Sequence, residues 1–340
     1  MRRLLSRRTL RRLALAALLP VLAACASAKA DTAGTGAPGH VTLHIGDQGK
    51  YLQTLLQSSG RLQGLGYQVV FDQFNSGPLV NQAFVAGAID FGVMGDTPAV
   101  YSAAAGLPVD VVAASHTVGP GYTLVARAGT GIHGLADLKG RKVGYSKGTA
   151  NQGFLIQALT TVGLKQQDVT PVDVPLQNIG EVLESGTVDA ATAAPQDLIN
   201  YTRSHPGAVQ LINGQQVSSG YSFWLATRKA LADPAKHAAL LDLVGRIVQA
   251  NSATRADPGP WIDAYYVKVD KQQPAIARQI WQASGETSFA LLDAQVVAAQ
   301  QRQADLFLAN GQLPHHVDVS GEFPPDVEST FNAQVTAAQP

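Results

Sequence analysis

Ten short apolar runs, separated by stretches of helical period, constrain this chain more than any other feature. They fall at 41–45, 68–74, 91–94, 109–115, 122–127, 142–145, 169–174, 190–194, 209–212 and 221–227. Segments such as 51–65 and 151–162 lie between them and read as helices. A parallel strand pair needs a crossover, and a helix is the usual one, so this alternation predicts a parallel-type α/β architecture. After Thr227 the period becomes helical only, at 240–248, 261–267, 276–283 and 294–308. The prolines from Pro314 onward predict an extended tail, residues 321–340. Some 300 residues of patterned chain suggest two domains.

An internal echo suggests how those domains connect. Residues 121–127, GYTLVAR, resemble residues 220–228, GYSFWLATR. They bracket a second α/β unit. A domain inserted into another is entered once and left once, so two similar strands at those points predict a double connection acting as a hinge. The expected division is 41–126 with 227–320 for the first lobe and 127–226 for the second. Tyr122, Tyr221, Phe223 and Trp224 on these strands are expected mostly in the core, with one aromatic free to line a pocket.

The N-terminus is read as an address rather than as fold. MRRLLSRRTLRR carries six arginines and no acid, and LALAALLPVLAA is an apolar run too short for a stable span. Together they predict a signal peptide over 1–24, followed by a small, polar, Gly- and Pro-bearing tether over 25–40. Leu22-Ala23-Ala24-Cys25 resembles a bacterial lipobox, which makes Cys25 a lipidation site. It is the only cysteine, so no internal disulfide is possible. SRRTLR, residues 6–11, also resembles a twin-arginine export signal, and the route, Sec or twin-arginine, stays open. The expected location is the extracytoplasmic face of the cell envelope. The chain has 25 basic and 25 acidic residues. Without the six leader arginines the balance is 19 against 25, a net of −6, which argues against nucleic acid.

Several strands run straight into helix-start signals. After 71–74 come Asn75, Ser76, Gly77 and Pro78. After 91–94 come Gly95, Asp96, Thr97 and Pro98. After 142–145 comes SKGTANQG with Thr149 as the cap, and after 190–194 comes Pro195. A helix start offers unpaired N–H groups and the positive end of the dipole, which suits an oxyanion. Ligands of open α/β sheets sit at the carboxyl ends of the strands. Two starts from each lobe are therefore expected to meet across one cleft.

Residues 75–115, 134–159, 221–226 and 296–319 resemble, in order and spacing, the periplasmic aliphatic-sulfonate-binding proteins of ABC importers, within the broader nitrate, sulfonate and taurine solute-binding family. The resemblance spans about 41–320. It implies a type II periplasmic-binding-protein fold of two lobes with a double-stranded hinge and C-terminal helices. It further implies a monomer that closes on a small sulfonate or similar oxyanion and delivers it to a membrane permease with a separate ATPase. Residue by residue, it implies that Gln48 faces the cleft. Ser76 and Gly77 form one oxyanion-contacting turn, Gly95, Asp96 and Thr97 the next, and Lys147, Gly148 and Thr149 a third. Asp96 is awkward beside an anion, so its expected role is to cap its helix and hold the loop, with Thr97 making the contact. Where the family often has Ser-Ser-Ala-His, this chain has Thr149-Ala150-Asn151-Gln152, so one hydroxyl survives and Asn151 brings an amide. Pro195 and Gln196, after Ala194, replace an aromatic turn, which predicts a roomier pocket. Tyr221 completes the expected set. Taurine, nitrate or bicarbonate, and a thiamine-precursor pyrimidine are the alternative ligands. No cofactor and no metal are implied.

Gly144-x-Ser146-x-Gly148 also matches a hydrolase nucleophile elbow, so an envelope esterase using Ser146 is the alternative of another class. It needs an acid and then a histidine downstream. Asp189 or Asp197 with His205 or His237 has that order, but neither histidine sits on a strand-end loop. The anion-cradling turn is the preferred reading, and no enzyme activity is expected. His116, after the strand ending at Ser115, is placed where it could face the cleft, with a partly buried structural role the preferred reading.

Overall fold

A six-stranded sheet and a five-stranded sheet carry the architecture of the computed structural model, which describes residues 41–339. The signal peptide, Cys25 and the tether lie outside the described residues. The chain enters the first sheet through β1 (Thr42–Gln48), α1 (Tyr51–Ser58), β2 (Gln68–Phe74), α2 (Gly77–Val85), β3 (Phe91–Gly95), α3 (Asp96–Ala104) and β4 (Val109–Val118). It then crosses to the second sheet. There it forms β5 (Thr123–Ala126), β6 (Lys142–Tyr145), α4 (Ala150–Thr160), β7 (Thr170–Asp173), α5 (Ile179–Glu184), β8 (Ala190–Ala193), α6 (Pro195–Ser204), β9 (Val209–Asn213) and α7 (Gly214–Val217). It returns to the first sheet with β10 (Tyr221–Thr227), followed by α8 (Arg228–Ala232) and the long α9 (Pro234–Ala256). The remaining elements are α10 (Gly259–Ile262), a π-helix (Asp263–Val269), α11 (Pro274–Ser284), β11 (Glu286–Ala290), α12 (Ala294–Ala309) and α13 (Pro325–Ala338).

The strand orders are β11-β4-β10-β3-β1-β2 and β7-β6-β8-β5-β9. β1 pairs in parallel with β2 and β3, and β6 in parallel with β7 and β8. β10 runs antiparallel between β3 and β4, and β5 runs antiparallel between β8 and β9. The two echoing segments thus do the same job in different sheets: each is the antiparallel strand that follows a crossing. The crossings themselves are 119–122 and 218–220, just before the echo strands rather than along them. The first is Gly119-Pro120-Gly121-Tyr122 and the second Ser218-Ser219-Gly220, and the glycines in each tolerate a change of backbone angle.

Helices cover both faces of the first sheet. Leu43, Ile45, Leu52 and Trp224 join α9 and α13 in one apolar core. Val80, Met94, Val111 and Phe223 join α3 and α12 in a second. A strand buried on both faces needs apolar residues throughout, which is why 109–115 read as an unbroken run. Its one charge, the buried Asp110, is held by Arg228 Nε at 2.8 Å.

Two expectations fail. β11 lies where helices alone were expected. Its ETSFA sequence is polar because it is an edge strand, paired only with β4. The expected extended tail is instead helix α13, with Val327, Phe331, Val335 and Ala338 buried along one face. Prolines open this helix: Pro325 occupies its first turn, where the missing N–H is no loss.

Candidate functional site

Three of the four expected helix starts come together. Gly95 at the start of α3 faces Ala150 at the start of α4, and a Cβ on Gly95 would lie 2.7 Å from the Ala150 methyl. One turn further on, Gly153 of α4 lies against Thr97 and Gln303. Only residues without side chains let two helices from different sheets approach this closely. α2 is tied to the same place by Asn81 Nδ2, which donates to Pro98 O at 2.8 Å. The fourth start, at Pro195 and Gln196, follows Ala193, which pairs with Thr123, so it lies beside Tyr122 rather than in this contact, and its helix α6 packs against α11.

Several N–H groups at these starts are engaged within the protein. Ser146 N donates to Asn151 Oδ1 at 2.9 Å, Lys147 N to Asp173 Oδ1 at 2.9 Å and Gly148 N to Gln152 Oε1 at 2.7 Å. Thr149 caps α4 as expected, accepting from Asn151 N at 3.2 Å. Thr97 N donates to Asp96 Oδ1 at 2.6 Å, and the Thr97 hydroxyl accepts from Gln303 Nε2 at 3.1 Å. The expectation of an open cradle of backbone amides is corrected at Ser146, Lys147, Gly148 and Thr97: side-chain oxygens take those N–H groups, one from the remote Asp173 and the others from neighbours in sequence. Thr97 is fully buried and does not face a cavity, and Asn151 is a buried brace whose amide donates to Thr192 O. Gln48 does not reach the cavity either, since its Nε2 donates to Val93 O at 2.6 Å. Ser76 caps α2 only through its backbone.

A cavity of about 260 Å³ opens beside these helix starts, at the two crossings. Thr117, Gly121 and Tyr122 line it from the first crossing, and Ser218, Gly220, Tyr221 and Ser222 from the return. Gly95 and Asp96 close one side, and Ala150 and Gln157 the other. Of the expected residues, Gly95, Asp96 and Tyr221 are here. Lys147 and Gly148 instead line a separate apolar groove with Pro78, Val85 and Tyr101.

His116 is the residue whose role the sequence underrated. It lines the cavity and packs on Tyr221 with ring centroids 4.8 Å apart. Tyr122 faces the same space and stacks on Phe154. Two aromatics thus line the cavity where one was allowed, while Phe223 and Trp224 are core as expected. Ser218 and Gln157 carried no sequence signal beyond the small residues ahead of each echo.

No lysine or arginine lines this cavity, and Asp96 does. The buried Asp96 carboxylate accepts from Ser219 Oγ at 2.8 Å and from Thr97 N. Burial pushes its pKa up, against those hydrogen bonds. Burial, then the nearby Asp197 and Asp96 charges, push the Tyr122 phenol up to about 12, so it remains a neutral hydrogen-bonding group.

Ser146 is buried and its backbone is locked by Asn151 and Thr149. His205 Nδ1 faces Tyr201 O at 3.1 Å and His237 Nδ1 faces Leu231 O at 3.1 Å. Neither histidine pairs with Ser146, so the hydrolase constellation is not assembled.

A protein-family model described as NMT1/THI5 like matches residues 63–249. A protein of Escherichia coli (strain K12) named as an aliphatic sulfonates-binding protein is 27% identical over 281 residues, 82% of this chain and 86% of its own length. The alkanesulfonate-binding protein SsuA from Xanthomonas axonopodis pv. citri, solved bound to MOPS, superposes with a TM-score of 0.72 at 26% identity. That match covers 84% of this chain and 99% of the other. The desulfurization enzyme DSZB, solved with biphenyl-2-sulfinic acid, has a TM-score of 0.60 at 17% identity, covering 86% and 99%, a likeness of fold alone.

Proposed function

This chain belongs to the NMT1/THI5-like family, and from that premise we propose that it is the solute-binding component of an ABC importer, taking a small organic sulfonate or similar oxyanion between its lobes. The observation that carries this reading is the placement of the cavity. It is built from both crossings and from one helix start of each sheet, so a ligand held there touches both lobes and the hinge at once. Such a ligand shifts the balance toward closure by the difference in its contacts with the open and closed forms. We divide the lobes at the crossings, with 41–118 and 221–339 in one and 123–217 in the other.

The head group would meet Tyr122, Tyr221, His116 and the hydroxyls of Ser218 and Ser222. Ser76, Gly77 and the Lys147–Thr149 turn would form the seam that closes beside it. The proposal includes export to the extracytoplasmic face, a lipid on Cys25, a monomeric state, and hand-over to a permease whose ATPase is separate. No covalent chemistry is involved.

Asp96 favours a second reading, in which the solute also carries an amine, as an aminosulfonate does. A carboxylate and a sulfonate 4 Å apart repel by roughly 4 kcal/mol at an effective dielectric of 20. An ammonium placed between them would reverse that sign. MOPS, found in the Xanthomonas relative, is itself a sulfonate with a protonatable nitrogen.

A thermal-shift screen of propanesulfonate, taurine, MOPS, sulfate and nitrate tests both readings. At 100 times its Kd a true ligand adds about 2.7 kcal/mol of stability. No shift with any sulfonate would remove the assignment. A shift with taurine and MOPS but not propanesulfonate would select the amine-bearing class.

A further inference from the structure

The first lobe contains a second chamber, of about 220 Å³, that shares none of its walls with the second lobe. Its sides are aromatic: Tyr51, Trp261, Tyr266 and Trp281. Tyr51 and Trp261 meet edge to face at 5.2 Å, and Trp261 and Tyr266 at 6.2 Å. The π-helix Asp263–Val269 carries Tyr266. An extra residue in a helical turn rotates the side chains that follow, and such turns are concentrated at functional sites.

The polar groups are what distinguish this chamber from a packing gap. Asn251 and Thr254 of α9 are one helical turn apart, so both side chains lie on one face of that helix. Each is 7% exposed. Both line the chamber, and neither side chain hydrogen-bonds to another group of the described residues. Two such groups aimed at one aromatic-walled space form a ready donor and acceptor set. The one cation on the rim, Arg255, is spoken for by Glu286 at 2.7 Å. A charged occupant would therefore find no counter-charge.

We propose that this chamber is a binding site for an uncharged, flat solute bearing adjacent donor and acceptor groups, such as a small aromatic carboxamide. Its ring lies among Tyr51, Trp261 and Trp281, and its amide pairs with Asn251 and Thr254. The site lies across Thr117 from the cavity between the lobes, which that residue also lines.

The probe is benzamide, titrated into the purified protein and followed by saturation-transfer NMR. Saturable binding in the millimolar range or tighter is expected. Asn251→Leu, which keeps the volume and removes both amide functions, should weaken it about tenfold, the scale of one desolvated hydrogen bond. Thr254→Val should weaken it less. Because Leu removes an unpartnered buried amide, Asn251→Leu should melt no lower than the parent. The proposal fails if benzamide does not saturate by about 10 mM, if Asn251→Leu binds it as well as the parent, or if MOPS displaces it. A crystal structure with only ordered water in a benzamide-soaked chamber would also overturn it.

Discussion

Ser219 donates a hydrogen bond of 2.8 Å to the carboxylate of Asp96, joining the return crossing to the first turn of α3. The residue that touches the hinge is thus the only acidic group lining the cavity. Ligand charge and lobe geometry are coupled at one side chain.

That coupling has a sign. Burial raises the Asp96 pKa, and a bound sulfonate would raise it further, so sulfonate binding should take up a proton. Propanesulfonate stays ionised across pH 5 to 8, and calorimetry over that window should find affinity falling as pH rises. Asp96→Asn should flatten the profile and bind at least as tightly as the parent at pH 8. Weaker binding of taurine by Asp96→Asn at every pH would instead point to an amine-bearing solute.

Closure should depend on the missing side chain at Gly153. A larger residue there meets the Thr97 hydroxyl and the Gln303 amide. Gly153→Val is expected to hold the lobes apart, enlarging the radius of gyration in solution scattering. Cleft-ligand affinity should drop tenfold or more. Unchanged affinity would mean that the α3–α4 contact is not made in the bound form.

Glu322 should make stability fall with rising pH. It is buried, accepts from Ser102 Oγ at 2.8 Å, and is pushed up to about 8 by burial. A carboxyl raised in the folded state is protonated there while the unfolded chain has lost its proton. Its contribution is complete below about 4.5, the ordinary value, and is lost as pH climbs through 8. Glu322→Gln should therefore melt several degrees higher than the parent at pH 9 and no differently at pH 4. Equal melting at pH 9 would show that Glu322 ionises without cost.

The C-terminal helix should behave as core. Phe331 is fully buried and lies against His237 with ring centroids 5.7 Å apart. Phe331→Ala should cost about 3–5 kcal/mol by chemical denaturation. A loss below about 1 kcal/mol would make α13 a dispensable appendage.

Ser146→Ala separates the binding protein from the esterase. Hydrolysis of p-nitrophenyl acetate should be equally slow for parent and variant, because no histidine reaches Ser146. A rate that vanishes with the hydroxyl would revive the enzyme.

Local pattern was enough for the strands. β6 and β10 begin and end where the apolar runs do, because burial on a covered sheet demands apolar residues over that length and no further. The caps were equally legible, as at Thr149 and Pro195, since capping is chemistry between neighbours in sequence. Edge strand β11 and helix α13 were not legible. An edge strand needs only one apolar face, and prolines serve a helix start as well as an extended tail.

The state of the site was decided elsewhere. Asp173 reaches Lys147 N across 26 positions, Ser219 reaches Asp96 across 123, and Gln303 reaches Thr97 across 206. Local order can place a donor at the end of a strand. Which partner arrives there, the Asp173 carboxylate at Lys147 N or the Ser219 and Gln303 donors at Asp96 and Thr97, depends on how distant elements pack, and it determines what remains available to a ligand. By itself the sequence determined two α/β units and the helix starts, and placed the crossings along the echo strands instead of just before them. Only the tertiary structure decided which of those starts are filled from within, and that one cavity lies at the crossings beside Asp96 while Lys147 and Gly148 line a separate groove.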